Sequence, residues 1–219
     1  MIKRKFGWTN VDVPIAGQGT WLIEHDNDNR AIKTLQIGLD LGMTHIDTAE
    51  MYEDGKAEKI VGQAIAGTKR DNIFLASKVL PSNASFEGTI KSCKKSLKRL
   101  KTDYLDLYML HWPSSNHPIA ETMKAMEKLV KDNLIKFIGV SNFDMEELQQ
   151  AELALEDERI ACNQVLYHLG YRPIEKRIVQ YYTKQEIDVV RYSHLDMVIF
   201  LLQIVLKEKC MPKLLIYID

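Results

Sequence analysis

Four polar side chains stand at the ends of three apolar, strand-like runs. Asp47 and Tyr52 fall in His45-Ile46-Asp47-Thr48-Ala49-Glu50-Met51-Tyr52, Lys78 in Phe74-Leu75-Ala76-Ser77-Lys78-Val79, and His111 in Leu107-Tyr108-Met109-Leu110-His111-Trp112. Repeated strand–helix units bring strand ends together at one mouth, so residues distant in sequence meet there. A free phenol, with a pKa of ~10, is a poor proton donor. A neighbouring cation improves it by favouring the phenolate. Lys78 supplies that charge if it sits beside Tyr52, and Asp47 keeps the lysine protonated where burial alone would discharge it. His111 suits a hydrogen bond to a carbonyl oxygen. The set polarises a carbonyl but contains no reductant, so a hydride must come from a cofactor.

Each residue also has a plain structural role open to it. Asp47 could cap a following helix, Lys78 could run its stem along the surface, Tyr52 could be a loop aromatic, and His111 a satisfied core histidine. Four such roles in succession, all at strand ends, are a poorer account than one shared site.

The elements that must position these residues alternate along the chain. Helical periodicity marks residues near 31–41, 57–66, 86–100, 119–131, 145–155 and 174–184, and is clearest in Ile90, Cys93, Leu97 and Leu100. Between them lie apolar runs at Thr44–Thr48, Ile73–Val79, Tyr104–Leu110, Ile135–Val140, Ala161–Tyr167 and Asp188–Tyr192, preceded by Val13–Gly17. Runs so continuously apolar fit parallel strands covered on both faces. Met1–Val11 reads as a short hairpin or cap. Seven strand candidates in one βα series favour a (β/α)8 barrel over a doubly wound sheet, because no glycine-rich dinucleotide turn follows the first strand. Gly17-Gln18-Gly19 lacks a third glycine and reads as a tight turn. No linker or composition break divides residues 1–219, which form a single domain.

Bulk properties exclude several classes. A net charge of −1 produces no global field for nucleic acid. The basic run Lys91, Lys94, Lys95, Lys98, Arg99 and Lys101 complements an apolar stripe and reads as a solvated helix face. Met197–Leu206 is too short to span a bilayer, and Met1-Ile2-Lys3-Arg4-Lys5 is not followed by the apolar stretch of a signal peptide. Three cysteines without a close pair fit free thiols in a reducing, cytoplasmic compartment. No cluster has metal-ligand spacing.

Several motifs, in order, resemble the aldo-keto reductases. Gly42-Met43-Thr44-His45-Ile46-Asp47-Thr48-Ala49, with Tyr52 and Glu58-Lys59-Ile60-Val61-Gly62, is similar to that family's first signature, and Lys136-Phe137-Ile138-Gly139-Val140-Ser141-Asn142-Phe143 to its second. Leu75–Val79 and Leu110-His111-Trp112-Pro113 resemble the segments bearing its lysine and histidine. The opening Val13–Trp21 resembles bacterial members that reduce small dicarbonyls and keto sugars. The resemblance covers residues 3–193. It implies a (β/α)8 barrel that binds NADP(H) and reduces aldehydes or ketones, with Tyr52 as proton donor, Asp47 and Lys78 tuning it, and His111 positioning the carbonyl. It further implies that Ser141, Asn142, Gln164, Tyr192 and Ser193 bind the cofactor, with nicotinamide stacked on Tyr192, and that Trp21 and Trp112 wall the substrate pocket. Core packing is the other role open to the two tryptophans, more so for Trp21. Ser141 and Asn142 have a rival role as turn residues or helix caps.

The resemblance stops inside a motif. Where the family continues Tyr-Ser-Pro-Leu-Gly, this chain reads Tyr192-Ser193-His194-Leu195-Asp196. No Pro-Lys-Ser/Thr segment followed by an arginine, the family's adenosine-phosphate anchor, comes later; Met211-Pro212-Lys213 runs into Leu214 instead. Residues 194–219 thus read as a divergent tail, and the barrel as incomplete, with its eighth strand and C-terminal loop missing or replaced. An absent strand would open two sheet edges. It would also uncover large side chains worth ~1.5–3 kcal/mol each. Leu195–Leu206 and Leu214–Ile218 are apolar enough to cover that surface, as a helix and a last strand or by self-association of a protein otherwise expected to be a monomer. The abrupt stop suggests a frameshift or recombination after Ser193; the idea fails if neither other reading frame downstream encodes the anchor. Two functions are consistent with these residues: an NADPH-dependent carbonyl reductase acting on a small molecule, or a catalytically impaired relative serving as a nucleotide-binding or interaction protein.

Overall fold

The apolar runs form the inner wall they predict. A computed structural model describes residues 1–25, 27–168, 170–176, 178–192 and 215–218. β1 (Lys3–Lys5) and β2 (Asp12–Pro14) make an antiparallel hairpin. β3 (Ala16–Gly19), β4 (His45–Asp47), β5 (Phe74–Val79), β6 (Leu105–Leu110), β7 (Ile135–Ser141), β8 (Ile160–Leu166), β9 (Asp188–Tyr192) and β10 (Leu215–Ile218) come next in spatial order and close into a parallel barrel. Outside lie α1 (Asp28–Asp40), α2 (Lys56–Ala64), α3 (Phe86–Leu100), α4 (Ile119–Lys131), α5 (Met145–Ala154) and α6 (Ile178–Gln185).

Alternation along each strand divides the core in two. On β5, Phe74 and Ala76 join an inner cluster with Leu107, Met109, Cys162 and Val190, while Leu75 and Val79 join the outer cluster between sheet and helices. Phe6 and Val13 belong to the inner cluster, so the hairpin plugs the barrel at one end. The helices begin where the side chains can cap them. Asn27 accepts from Asn29 N and Arg30 N, Ser85 accepts from Gly88 N, and Asp144 with Glu147 forms a capping box.

Several expectations need correction or completion. Gly17-Gln18-Gly19 is not a tight turn but most of the first barrel strand. Gln18 is buried, and its amide donates to the carbonyls of Leu35 and Met43. A side chain on Gly38 would collide with that amide, so glycine there lets α1 close over the strand. The barrel strand therefore begins at Ala16, because Val13 and Pro14 are committed to the hairpin. Among the described residues no open edge remains at β3 or β9, since β10 pairs in parallel with both. The eighth place is filled by β10 rather than left empty. The other expectations for the tail, including the helix over 195–206, lie outside the described residues. On α3, Lys91, Lys94, Lys95 and Lys98 are exposed as expected, as is Lys101 just past its end, but Arg99 turns inward to Glu58. No helix among the described residues is long and apolar enough to cross a membrane.

At the strands' N-terminal ends, buried Asp106 ties β5, β6 and β7 together. It accepts from Leu75 N (3.0 Å), Arg70 Nη1 (2.8 Å) and Lys136 Nζ (2.9 Å), and the two cations flank the Tyr104 ring. Asp106→Ala would strand a buried amide and unpair two cations. It should cost about 2–3 kcal/mol, read as a lower urea midpoint; an unchanged midpoint would contradict this account of the ladder.

Candidate active site

Lys78 is 1 % exposed, and its ammonium is the hub of the site. Nζ donates to Asp47 Oδ2 (2.6 Å), Tyr52 OH (3.1 Å) and the Thr48 carbonyl (3.1 Å). Burial lowers its pKa, but the charge of Asp47, then Tyr52, and their hydrogen bonds outweigh that effect and hold it above the usual lysine range. The sheet register makes this meeting unavoidable. Asp47 pairs with Ala76 across β4 and β5, and Lys78 lies two residues further on the same inward face. Tyr52 is brought back by the tight, kinked turn Tyr52–Gly55.

His111 stands opposite. Its ring meets Tyr52 edge-on at 5.7 Å and stacks on Trp112 at 3.9 Å with 12° between planes. Burial, then the charge of Lys78, pushes its pKa down to about 2, so the imidazole is neutral at physiological pH. Its Nδ1 is buried without a hydrogen-bond partner among the described residues. Asp47, Tyr52, His111, Trp21 and Trp112 line one cavity of about 160 Å³.

Ser141, Asn142, Gln164 and Tyr192 line the same cavity, and they interlock. Ser141 Oγ donates to the Gln164 carbonyl (2.9 Å), Asn142 Nδ2 donates to the His111 carbonyl (3.1 Å), and Tyr192 OH donates to Asn142 Oδ1 (2.7 Å). Gln164 Nε2 reaches Asp47 Oδ1 at 3.2 Å, joining the two halves of the site. Asn142 does take the left-handed conformation of a turn residue, with φ 61°. The cap of the next helix is Asp144, not Ser141 or Asn142.

Of the residues expected at the site, only Ser193 lies outside the described residues. The structural alternatives do not describe the rest. Lys78 is not at the surface, Asp47 spends its carboxylate on Lys78 and Gln164, and both tryptophans are partly exposed at the cavity, Trp21 at 52 %. Thr20 is a residue that the sequence pattern did not single out. Its buried hydroxyl donates to the Asp47 carbonyl (3.0 Å), and the strand-end rule that selects Asp47 would select it too once β3 is placed correctly.

A parallel barrel with an acid, a lysine, a tyrosine and a histidine at its strand ends defines a class. The chain belongs to the Aldo/keto reductase family, whose profile matches residues 16–208. The match runs past Ser193, where the motif-level resemblance ends. Methylglyoxal reductase YeaE of Escherichia coli (strain K12) is 46% identical over 188 residues, covering 85% of this chain and 66% of that protein. Glyoxal reductase of Bacillus subtilis (strain 168) is 37% identical over 189 residues, 84% of this chain and 64% of that one. Among solved structures, an aldo/keto reductase from Klebsiella pneumoniae in complex with NADP and acetate has a TM-score of 0.80 at 44% identity, covering 87% of this chain and 67% of its own. The thermostable aldo-keto reductase Tm1743, in complex with epalrestat, has a TM-score of 0.85 at 37% identity, covering 88% and 73%. The chain spans about two thirds of the length of these curated relatives, or slightly less.

Two buried imidazoles make stability depend on pH. Like His111, His45 has a depressed pKa, about 3, through burial and then the charge of Lys78. Both are neutral when folded and take up protons on unfolding once pH falls below the ordinary histidine value of ~6.5. Stability should therefore be full above that value and decline towards pH 5, by up to about 1.4 kcal/mol per pH unit for each imidazole. Urea midpoints that stay flat between pH 7.5 and 5, or folded-state NMR showing either ring protonated at pH 5.5, would contradict it.

Proposed function

We propose that this protein is an NADPH-dependent reductase converting small aldehydes or ketones to alcohols. One observation carries the reading: buried Lys78 Nζ holds both Asp47 Oδ2 and Tyr52 OH, and these two residues line a cavity together with His111. The methylglyoxal and glyoxal reductases among the relatives favour small dicarbonyls as the substrate class.

Ser141, Asn142 and Gln164 offer hydroxyl and amide groups on one cavity wall, beside the half-buried ring of Tyr192. That donor set and flat ring fit the nicotinamide end of NADP(H), with Ser193 assigned to the same task. Bound there, the cofactor supplies the hydride that the side chains lack. Tyr52 gives its phenolic proton to the carbonyl oxygen, and Lys78 stabilises the phenolate left behind. Asp47 keeps Lys78 charged. His111, neutral, orients the carbonyl oxygen through a hydrogen bond. Trp21 and Trp112 form part of the pocket wall.

The sequence after Tyr192 favours a second reading, because it lacks the family's phosphate anchor. On that reading the chain is an impaired relative that holds nucleotide weakly or acts through interactions. Tryptophan fluorescence separates the two, since Trp21 and Trp112 border the site. Saturable quenching by NADPH supports the reductase; no response at millimolar cofactor supports the relative. With turnover in hand, Tyr52→Phe should lower kcat at least ~100-fold and leave NADPH affinity within about threefold. Unchanged turnover would remove Tyr52 from the proton-donor role.

A further inference from the structure

Glu58 is a carboxylate with no exposed surface, and nothing in the reaction above uses it. It sits on α2, six residues after Tyr52. Ser77 Oγ donates to Oε1 (2.6 Å) and Arg99 Nε donates to Oε2 (2.5 Å), while Arg99 Nη2 donates to Ser96 Oγ (3.2 Å). Glu58 therefore links three elements: α2, β5 and α3.

Its two partners bear directly on the proton-delivering pair. Ser77 adjoins Lys78, and neighbouring strand residues face opposite ways. Ser77 points to the helix layer and Lys78 into the barrel. Holding the hydroxyl outward fixes the rotation of β5 that turns the ammonium inward. On the other side, the turn carrying Tyr52 contains three successive left-handed residues, Glu53 (φ 45°), Asp54 (φ 48°) and Gly55 (φ 81°). Non-glycine residues rarely enter that region, so such a turn persists only where its surroundings hold it. Arg99 provides the hold. Its guanidinium lies so close to Gly55 that a Cβ there would come within 2.3 Å of Nε. A buried carboxylate needs a paired charge, which places Arg99 where it also braces the turn.

We infer that Glu58 is a positioning residue: through Ser77 and Arg99 it sets the spacing between Tyr52 OH and Lys78 Nζ. The inference rests on the reading of Tyr52 and Lys78 as the proton-delivering pair. A purely structural tie would lower stability without touching the phenol, so Tyr52's own titration is the decisive readout.

With ¹³C-labelled tyrosine rings, the Tyr52 signal is assigned by its loss in Tyr52→Phe and tracked into the alkaline range. In Glu58→Gln and Arg99→Met the apparent Tyr52 pKa should rise by about one unit as the phenol draws away from Lys78. Ser77→Ala should raise it less, and Arg99→Lys should restore most of the parent value. In turnover, kcat should fall roughly tenfold to a hundredfold, with the alkaline limb of its pH profile moving the same way and NADPH affinity within about twofold. If Glu58→Gln does not fold, Ser77→Ala and the two Arg99 variants carry the test. An unmoved Tyr52 titration in folded Arg99→Met and Ser77→Ala, whatever their melting temperatures, overturns the inference. A shifted titration in a protein without turnover upholds the positioning role and instead defeats the proposed reductase.

Discussion

An ammonium held almost dry inside a barrel constrains everything around it. Removing a charge from water is costly, and a lone buried lysine would shed its proton. Lys78 keeps it because Asp47 Oδ2, the Thr48 carbonyl and Tyr52 OH all converge on Nζ. Buried ion pairs seldom stabilise a fold more than a well-packed apolar group would. A stabilising role alone therefore does not account for this pair, which is the basis of the proposed chemistry. The same charge reaches His111, whose already buried imidazole it helps to keep neutral.

The barrel meets this demand through its alternation. Each strand near the site works with both faces, and β5 shows how. Inward, Lys78 faces Asp47 and Tyr52; outward, Ser77 engages Glu58, and through it Arg99. Errors of register would exchange these faces and place the ammonium among helices. The barrel's lower storey guards against that slip, with Asp106 binding Leu75 N, Arg70 and Lys136 across three strands. Closure by β10 removes the two edges that an incomplete sheet would have exposed, although the strand pairs with β9 over only two residues.

Family membership and the site geometry point the same way, and the chain's extent sets how far they reach. It spans about two thirds of relatives such as the Escherichia coli methylglyoxal reductase. Asp47, Tyr52, Lys78 and His111 are fully assembled within the described residues, as is the cavity wall of Ser141, Asn142, Gln164 and Tyr192. The adenosine-phosphate end has no recognisable anchor in the sequence. On the proposed reductase reading, cofactor affinity, rather than the arrangement of acid, lysine, tyrosine and histidine, is therefore the property on which activity would turn.

Much of this was legible in the sequence, for physical reasons. Buried parallel strands read as near-continuous apolar runs and a barrel's functional groups gather at their ends, so Asp47, Tyr52, Lys78 and His111 could be picked out as candidates before any contact was known. Short-range patterns failed where an element was short or rich in glycine. The first barrel strand, Ala16–Gly19, carries two glycines and looked like a turn; only pairing with Ile46 and Asp47 on one side and β10 on the other makes it a strand. Contacts between distant residues were equally beyond reach. That Gln164 touches Asp47, that Tyr192 bonds Asn142, and that Glu58 reaches both Ser77 and Arg99 depends on tertiary packing, which joins residues up to 117 positions apart. The sequence alone determined which chemical groups were available and which element bore each; the tertiary structure decided their distances, their burial and hence their protonation, because those depend on what packs against a group rather than on what precedes it.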